Sequence, residues 1–255
     1  MKIVLSPAKS LDFDFESPTG KYTQPELLED AEVIANVLKK YSPKKISDLM
    51  SISSSLGELN YERFQDWDKQ FSYPDEKQAC LVFTGEVYRG LRARELSSVD
   101  LEWAQDRLRI LSGLYGVLKP LDLMKAYRLE MGTKLKVKSK KDLYAYWGSK
   151  IAETLLKDMK SDEVLINLAS NEYFKSIDKK KFKNRIITPE FKELKGDQYK
   201  MIAVFAKKAR GLMTRFIIEN RIEDPEQIKH FDLEGYGFDA NLSTENNWVF
   251  TRSGN

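Results

Sequence analysis

Apolar residues recur at helical spacing along Glu26–Lys40, where Leu27, Leu28, Ala31, Ile34, Ala35 and Leu38 share one side. Ser42-Pro43 opens a second helix, with proline at the first helical position. Leu56–Gln70, carrying Trp67, reads as a third, and Glu86–Leu91 as a short one after Gly85. Ser97 and Asp100 form an S-x-x-D start signal for a helix running to about Leu111. Leu143–Leu156 and Ala206–Arg221 continue the helical pattern, and Asp224-Pro225 starts another. Short apolar runs at Lys2–Leu5, Cys80–Phe83, Glu163–Leu168, Arg185–Phe191 and Trp248–Arg252 predict buried strands. Tyr199–Phe205 fits a strand or a helix start, Lys119-Pro120-Leu121 a short helix start, and Lys134–Lys141 a loop or hairpin. Strands alternating with helices predict an α/β (mixed α+β) class. No repeat or linker divides the 255 residues, so a single domain over 1–255 is expected.

Composition removes several classes of function. The longest strictly apolar run is Met201–Ala206, too short to span a bilayer, so no membrane partner is expected. The opening ten residues lack the apolar stretch of a secretion signal, which predicts a cytoplasmic protein. A single cysteine, Cys80, excludes an internal disulfide, and its apolar neighbours predict a buried, unreactive thiol. A single histidine, His230, excludes a multi-histidine zinc site and reads as a solvated helix end. No metal site and no cofactor motif is expected, although an all-carboxylate site stays open.

Net charge is only +3, yet it is polarised. Lys175–Arg221 holds fourteen Lys/Arg against five Asp/Glu, whereas Ile222–Asn255 holds two against seven. One basic face toward an anionic partner is expected. On a helix through Ala206–Arg221, Lys207, Lys208, Arg210, Gly211, Arg215 and Arg221 fall on one side. Ala206, Ala209, Leu212, Met213, Phe216 and Ile217 fall on the other. A glycine amid cations would let a phosphate approach the backbone; the competing account is an ordinary amphipathic helix with solvated lysines.

Arg109-Ile-Leu-Ser-Gly-Leu-Tyr-Gly116, followed by Lys119-Pro120, looks like a helix-hairpin-helix DNA-binding unit, its glycines three apart instead of the usual two. There Gly113 and Gly116 would meet phosphates through backbone amides, flanked by Arg109 and Lys119. A strand followed by a tight turn is the alternative. Ser6-Pro7-Ala8-Lys9-Ser10, directly after a strand, places Lys9 where ligand groups often sit, without a glycine-rich phosphate loop. Tyr127, Arg128 and Glu130 could join Lys9 in acid–base chemistry, or the charged pair could simply neutralise itself.

Together these strings resemble the YaaA peroxide-stress family. The carrying residues are Ser6-Pro-Ala-Lys-Ser-Leu-Asp12, Phe83-Thr-Gly-Glu-Val-Tyr-Arg-Gly-Leu91, Arg109–Gly116 with Lys119-Pro-Leu-Asp122, and Tyr127-Arg-Leu-Glu-Met-Gly132. Leu168-Ala-Ser-Asn-Glu-Tyr-Phe174, Lys207-Lys-Ala-Arg-Gly211 and Trp248-Val-Phe-Thr-Arg252 complete the set. Ser10 stands where the family usually has threonine. The resemblance implies a protein that limits damage from unincorporated intracellular iron during peroxide stress. It also implies a single α/β fold with a basic cleft, a helix-hairpin-helix element and binding to double-stranded or branched DNA. Lys9, Arg109, Gly113, Gly116, Lys119, Lys207, Lys208, Arg210, Gly211 and Arg215 are the expected DNA contacts. The rival is an enzyme acting on an anionic small molecule or a nucleic-acid end through Lys9, Tyr127, Arg128 and Glu130. A regulator working through a protein partner is a third reading and would expose an apolar patch.

Overall fold

The chain alternates elements, as its periodicity predicts, in a computed structural model that describes residues 1–253. Strand β1 (Lys2–Leu5) opens the fold. Helices α1 (Leu28–Leu38), α2 (Pro43–Met50) and α3 (Ser54–Asp66) follow, and then β2 (Lys77–Gln78), α4 (Ala79–Val82), α5 (Glu86–Leu91) and α6 (Ser98–Arg107). Next come β3 (Leu108–Ser112), β4 (Gly116–Leu118), β5 (Leu123–Met124), α7 (Leu143–Trp147), α8 (Lys150–Lys157), β6 (Leu165–Leu168) and α9 (Asn171–Phe174). The chain continues with β7 (Ile186–Lys195), β8 (Gln198–Lys200), α10 (Ala203–Glu219), β9 (Gly237–Asp239) and β10 (Asn247–Arg252).

The main sheet runs β4-β3-β1-β6-β7-β10-β9, with β8 paired to the far end of β7. β3, β1, β6, β7 and β10 are mutually parallel, and β4, β8 and β9 are antiparallel edges. β1, β3 and β6 are buried almost throughout, which fits strands covered on both faces. α6 packs on β1 and β3, α10 on β7, and α5 lies along α10. Helix starts obey their sequence signals: Ser42 accepts from the Lys45 amide, and Ser97 and Asp100 form a reciprocal capping box.

Five local expectations are corrected. Ala79–Val82 is one helical turn, not a strand, because the Cys80 amide donates to the Pro120 carbonyl (3.0 Å) instead of a ladder. A fully buried apolar run has no period to read. The helix from Ser97 stops at Arg107, and Leu108–Ser112 is a core strand whose leucines mimic a continuing stripe. Gly148, at φ +51°, breaks Leu143–Leu156 into α7 and α8. Lys119-Pro120-Leu121 forms a turn closed by the Asp122 amide on the Lys119 carbonyl (3.2 Å).

The fifth correction concerns the helix-hairpin-helix element. Its residues form a strand–turn–strand, with Ser112 opposite Gly116 across β3 and β4. The Ser112 hydroxyl accepts from the Leu114 amide (3.2 Å) and the Tyr115 amide (3.0 Å), so the turn satisfies its own donors. Both glycines are buried: a Cβ on Gly113 would lie 2.4 Å from the Leu129 carbonyl oxygen, and one on Gly116 2.8 Å from the Trp147 ring. Gly113 and Gly116 serve packing here and offer no amide to a phosphate.

Candidate functional site

β1 and β6 are neighbours, but the chain leaves them toward opposite sides of the sheet, since β3 flanks β1 and β7 flanks β6. The loops after the two strands therefore diverge and open a crevice beyond their carboxyl ends, where ligands bind in open parallel sheets. Ser6–Ser10 leaves β1 and Ser170–Tyr173 follows β6, and both line a cleft of about 540 Å³. Thr84–Val87, Glu130, and Lys207 and Arg210 of α10 complete the wall. The two loops are tied together: the Ser6 hydroxyl accepts from the Ser170 amide at 2.8 Å. The Tyr88 hydroxyl, buried and held well above its usual pKa by desolvation, donates to the Ser6 carbonyl at 3.0 Å.

Charges of both signs face this space. Lys9 meets Glu130 at 2.8 Å, and the other oxygen of Glu130 lies 3.6 Å from Arg128. The Arg128 Nε is buried with no hydrogen-bond partner among the described residues. Glu172 accepts from the Gly132 amide at 2.8 Å, which fixes a second carboxylate on that wall. Arg210 is half-buried, and desolvation pulls its pKa below the ordinary arginine value while Glu190 opposes the shift. It stays charged at physiological pH. Among the described residues, neither Lys207 nor Arg210 has a carboxylate within 4 Å, whereas the other two cations of the helix, Lys208 and Arg215, both do.

The expected contacts are thus divided. Lys9, Lys207 and Arg210 converge on the cleft. Lys208 is paired with Glu234. Arg215 is buried, not exposed: it meets Glu219 at 2.8 Å and Glu95 at 3.5 Å and donates to the Leu91 and Arg92 carbonyls. Gly211 is buried against α5, so its bare backbone serves a helix crossing and not a phosphate. Arg109 and Lys119 lie elsewhere, lining a separate cavity of about 300 Å³ and sharing Asp158 at 2.6 and 3.6 Å. The α10 face therefore borders no groove shared with the Gly113–Gly116 turn.

Of the enzyme candidates, Lys9 and Glu130 reach the cleft and Tyr127 does not. Tyr127 is buried, shares a 2.7 Å hydrogen bond with Ser112, and is pushed above its usual pKa by desolvation. Lys9 is 57% exposed and bound to a carboxylate, which is a charge-pairing environment and not that of a desolvated lysine nucleophile. Among the described residues, no three His, Cys, Asp or Glu side chains converge where a metal ion could sit. No helix among them is long and apolar enough to cross a membrane. Tyr199, Met201, Val204 and Phe205 are exposed near the start of α10, and Arg252 lies over the Phe205 ring at 4.9 Å.

Sequence reasoning missed Thr84, Asn171 and Glu172 as cleft residues. The signal was present in the strings Phe83–Leu91 and Leu168–Phe174, but only the pairing of β1 with β6, and the Thr84 amide donating to the Ser10 carbonyl at 3.0 Å, bring them to Lys9. It also missed Asp122, buried beside Arg109 and Lys119. Desolvation raises its pKa to about 6, although it accepts from the Thr23 hydroxyl (2.6 Å) and the Lys119 amide (2.7 Å).

Comparison with known proteins places this architecture. Residues 1–242 match the family described as peroxide stress protein YaaA. A UPF0246 protein of Flavobacterium johnsoniae is 52% identical over 252 residues, covering 99% of this chain and all of the relative. UPF0246 proteins of Teredinibacter turnerae and Ralstonia nicotianae are each 52% identical over 254 residues, covering 99% of both chains. With a family match over nearly its whole length and full-length relatives at half identity, the chain belongs to the peroxide stress protein YaaA family.

Proposed function

We propose that this chain binds double-stranded or branched DNA, without sequence preference, through the cleft between the Ser6–Ser10 loop and α10. The observation that carries the reading is Arg210, a half-buried cation with Lys207 one turn before it and, among the described residues, no carboxylate within 4 Å of either. Holding a guanidinium partly out of water costs free energy, and a phosphate oxygen would offset it. Backbone phosphates attract lysine and arginine irrespective of base, so this binding does not depend on sequence. The link to peroxide stress is that bound protein shields DNA from oxidants generated by unincorporated iron.

Nicking of plasmid DNA by ferrous iron and hydrogen peroxide tests this reading. Protection should rise with DNA occupancy by the wild-type chain, and a folded Lys207→Ala/Arg210→Ala variant should lose it. Equal protection by that variant, or none by wild type at saturating occupancy, contradicts the proposal.

A further inference from the structure

The DNA reading leaves one feature of the cleft unexplained. A track for phosphates should carry cations and few carboxylates, because a carboxylate repels the backbone. This cleft holds Glu86, Glu130 and Glu172 as well as Lys9, Lys207 and Arg210. Glu86 is neutralised by Arg89 at 2.6 Å, but the other two carboxylates are built into the cleft wall: Glu130 is gripped by Lys9 and flanked by Arg128, and Glu172 is fixed by the Gly132 amide. Each retains acceptor capacity, since an ionised carboxylate offers about four lone-pair sites.

Size is the second observation. A cleft of about 540 Å³ falls in the range of pockets for single small ligands. The major groove of duplex DNA is already about 12 Å wide, so a length of helix lies across such an opening and does not enter it. Among the described residues Tyr173 contributes the one aromatic side chain of the lining, which Ser6 and Ser170 also share.

We infer that the cleft receives one nucleotide extruded from DNA, a refinement that rests on the DNA-binding reading above. The division of charge gives the orientation. Lys207 and Arg210 hold the phosphates flanking the extruded unit. Glu130 and Glu172, on the wall formed by the 130–132 segment and the start of α9, accept from the base. Exocyclic amino groups of cytosine, adenine and guanine are donors, and thymine has none. Already unpaired positions are the easiest to extrude, because the cost of unstacking and unpairing is least there. The preferred ligand is therefore a duplex with one unpaired, amino-bearing nucleotide.

The test uses the full chain and four probes: a fully paired duplex, the same duplex with a single bulged cytosine, one with a bulged thymine, and free cytidine monophosphate. The bulged cytosine should bind about tenfold tighter than the paired duplex, and bulged thymine should sit between them. A 2-aminopurine at the bulge should change its fluorescence on binding as it leaves the stack. The ratio of bulged-cytosine to paired affinity should fall toward one in Glu130→Gln. Glu172→Gln provides a second variant if the first does not fold. Equal affinity for bulged and paired duplexes overturns the inference and leaves the DNA reading intact. Cytidine monophosphate bound as tightly as the bulged duplex assigns the pocket to a free nucleotide and also overturns it. Failure to bind any DNA overturns both.

Discussion

Gly90 and Gly211 face each other where α5 crosses α10. A Cβ on Gly211 would lie 1.8 Å from the Val87 carbonyl oxygen, and one on Gly90 2.1 Å from the Lys208 carbonyl oxygen. Both obstacles are backbone, so neither can swing aside. The two helices approach this closely because neither carries a side chain at the crossing. That contact holds α10 in place and so positions Lys207 and Arg210 against the loops after β1 and β6.

Gly211→Leu should therefore destabilise the fold by about 3 kcal/mol, at the upper end of overpacking costs. For a chain of this size the corresponding fall in Tm is roughly 6–12 °C. An unchanged melting curve would refute the packing role and restore the phosphate-approach account of that glycine.

Arg215 and Lys207 lie on one helix but should behave differently. Arg215→Ala removes a buried guanidinium that binds two carbonyls and two partly exposed carboxylates, and should cost about 1–3 kcal/mol in urea unfolding. Lys207→Ala, on an exposed side chain, should stay within about 0.5 kcal/mol of wild type. Equal effects would contradict the assignment of one to structure and the other to the cleft.

Burial pushes the Cys80 thiol up to about 12, which leaves almost no thiolate at physiological pH. A thiol reagent should label the native chain slowly and the urea-unfolded chain at once. Cys80→Ala should protect plasmid DNA from ferrous iron and peroxide to the same extent as the wild-type chain. Loss of protection in a folded, normally abundant Cys80→Ala chain would make this thiol functional.

Asp122 gives the fold a pH dependence of unusual sign. Its folded pKa of about 6 is above the ordinary 3.8, so its protonated form is favoured on folding. Its contribution is fully present below the unfolded pKa and is lost as pH rises through the folded one, between about 4 and 6. Linkage makes that loss about 3 kcal/mol. Asp12, Asp158 and Glu163 are shifted downward and act in the opposite sense at lower pH. Unfolding free energies at pH 4, 5, 6 and 7 should thus rise more steeply with pH in Asp122→Asn than in wild type. Parallel curves would show that Asp122 is not desolvated as described.

Much of the framework was legible because its signals are local. Ser42, Ser97 and Asp100 mark helix starts through hydrogen bonds within three residues, and the α10 stripe needs only its own spacing. Ala79–Val82 misled because a fully buried apolar run has no polar positions to reveal its period, and Leu108–Ser112 because Leu108 and Leu111 continue the helical stripe of Leu101 and Ala104. The basic face of α10 was half legible. Sequence shows that Arg215 and Arg210 share a side, but not that Glu95 and Glu219 pair with the first and leave the second to the cleft. The cleft itself depends on parallel pairing between β1 and β6, whose residues lie more than 160 positions apart.

Salt dependence of DNA affinity tests the central claim most directly. Each phosphate contact should contribute about −0.9 to the slope of log affinity against log salt. Wild type should show a steep slope that hardly changes with DNA sequence, and Arg210→Gln should lower it by about one unit. A flat wild-type response, or an Arg210→Gln slope equal to wild type, would contradict the assignment of this cleft to DNA phosphates.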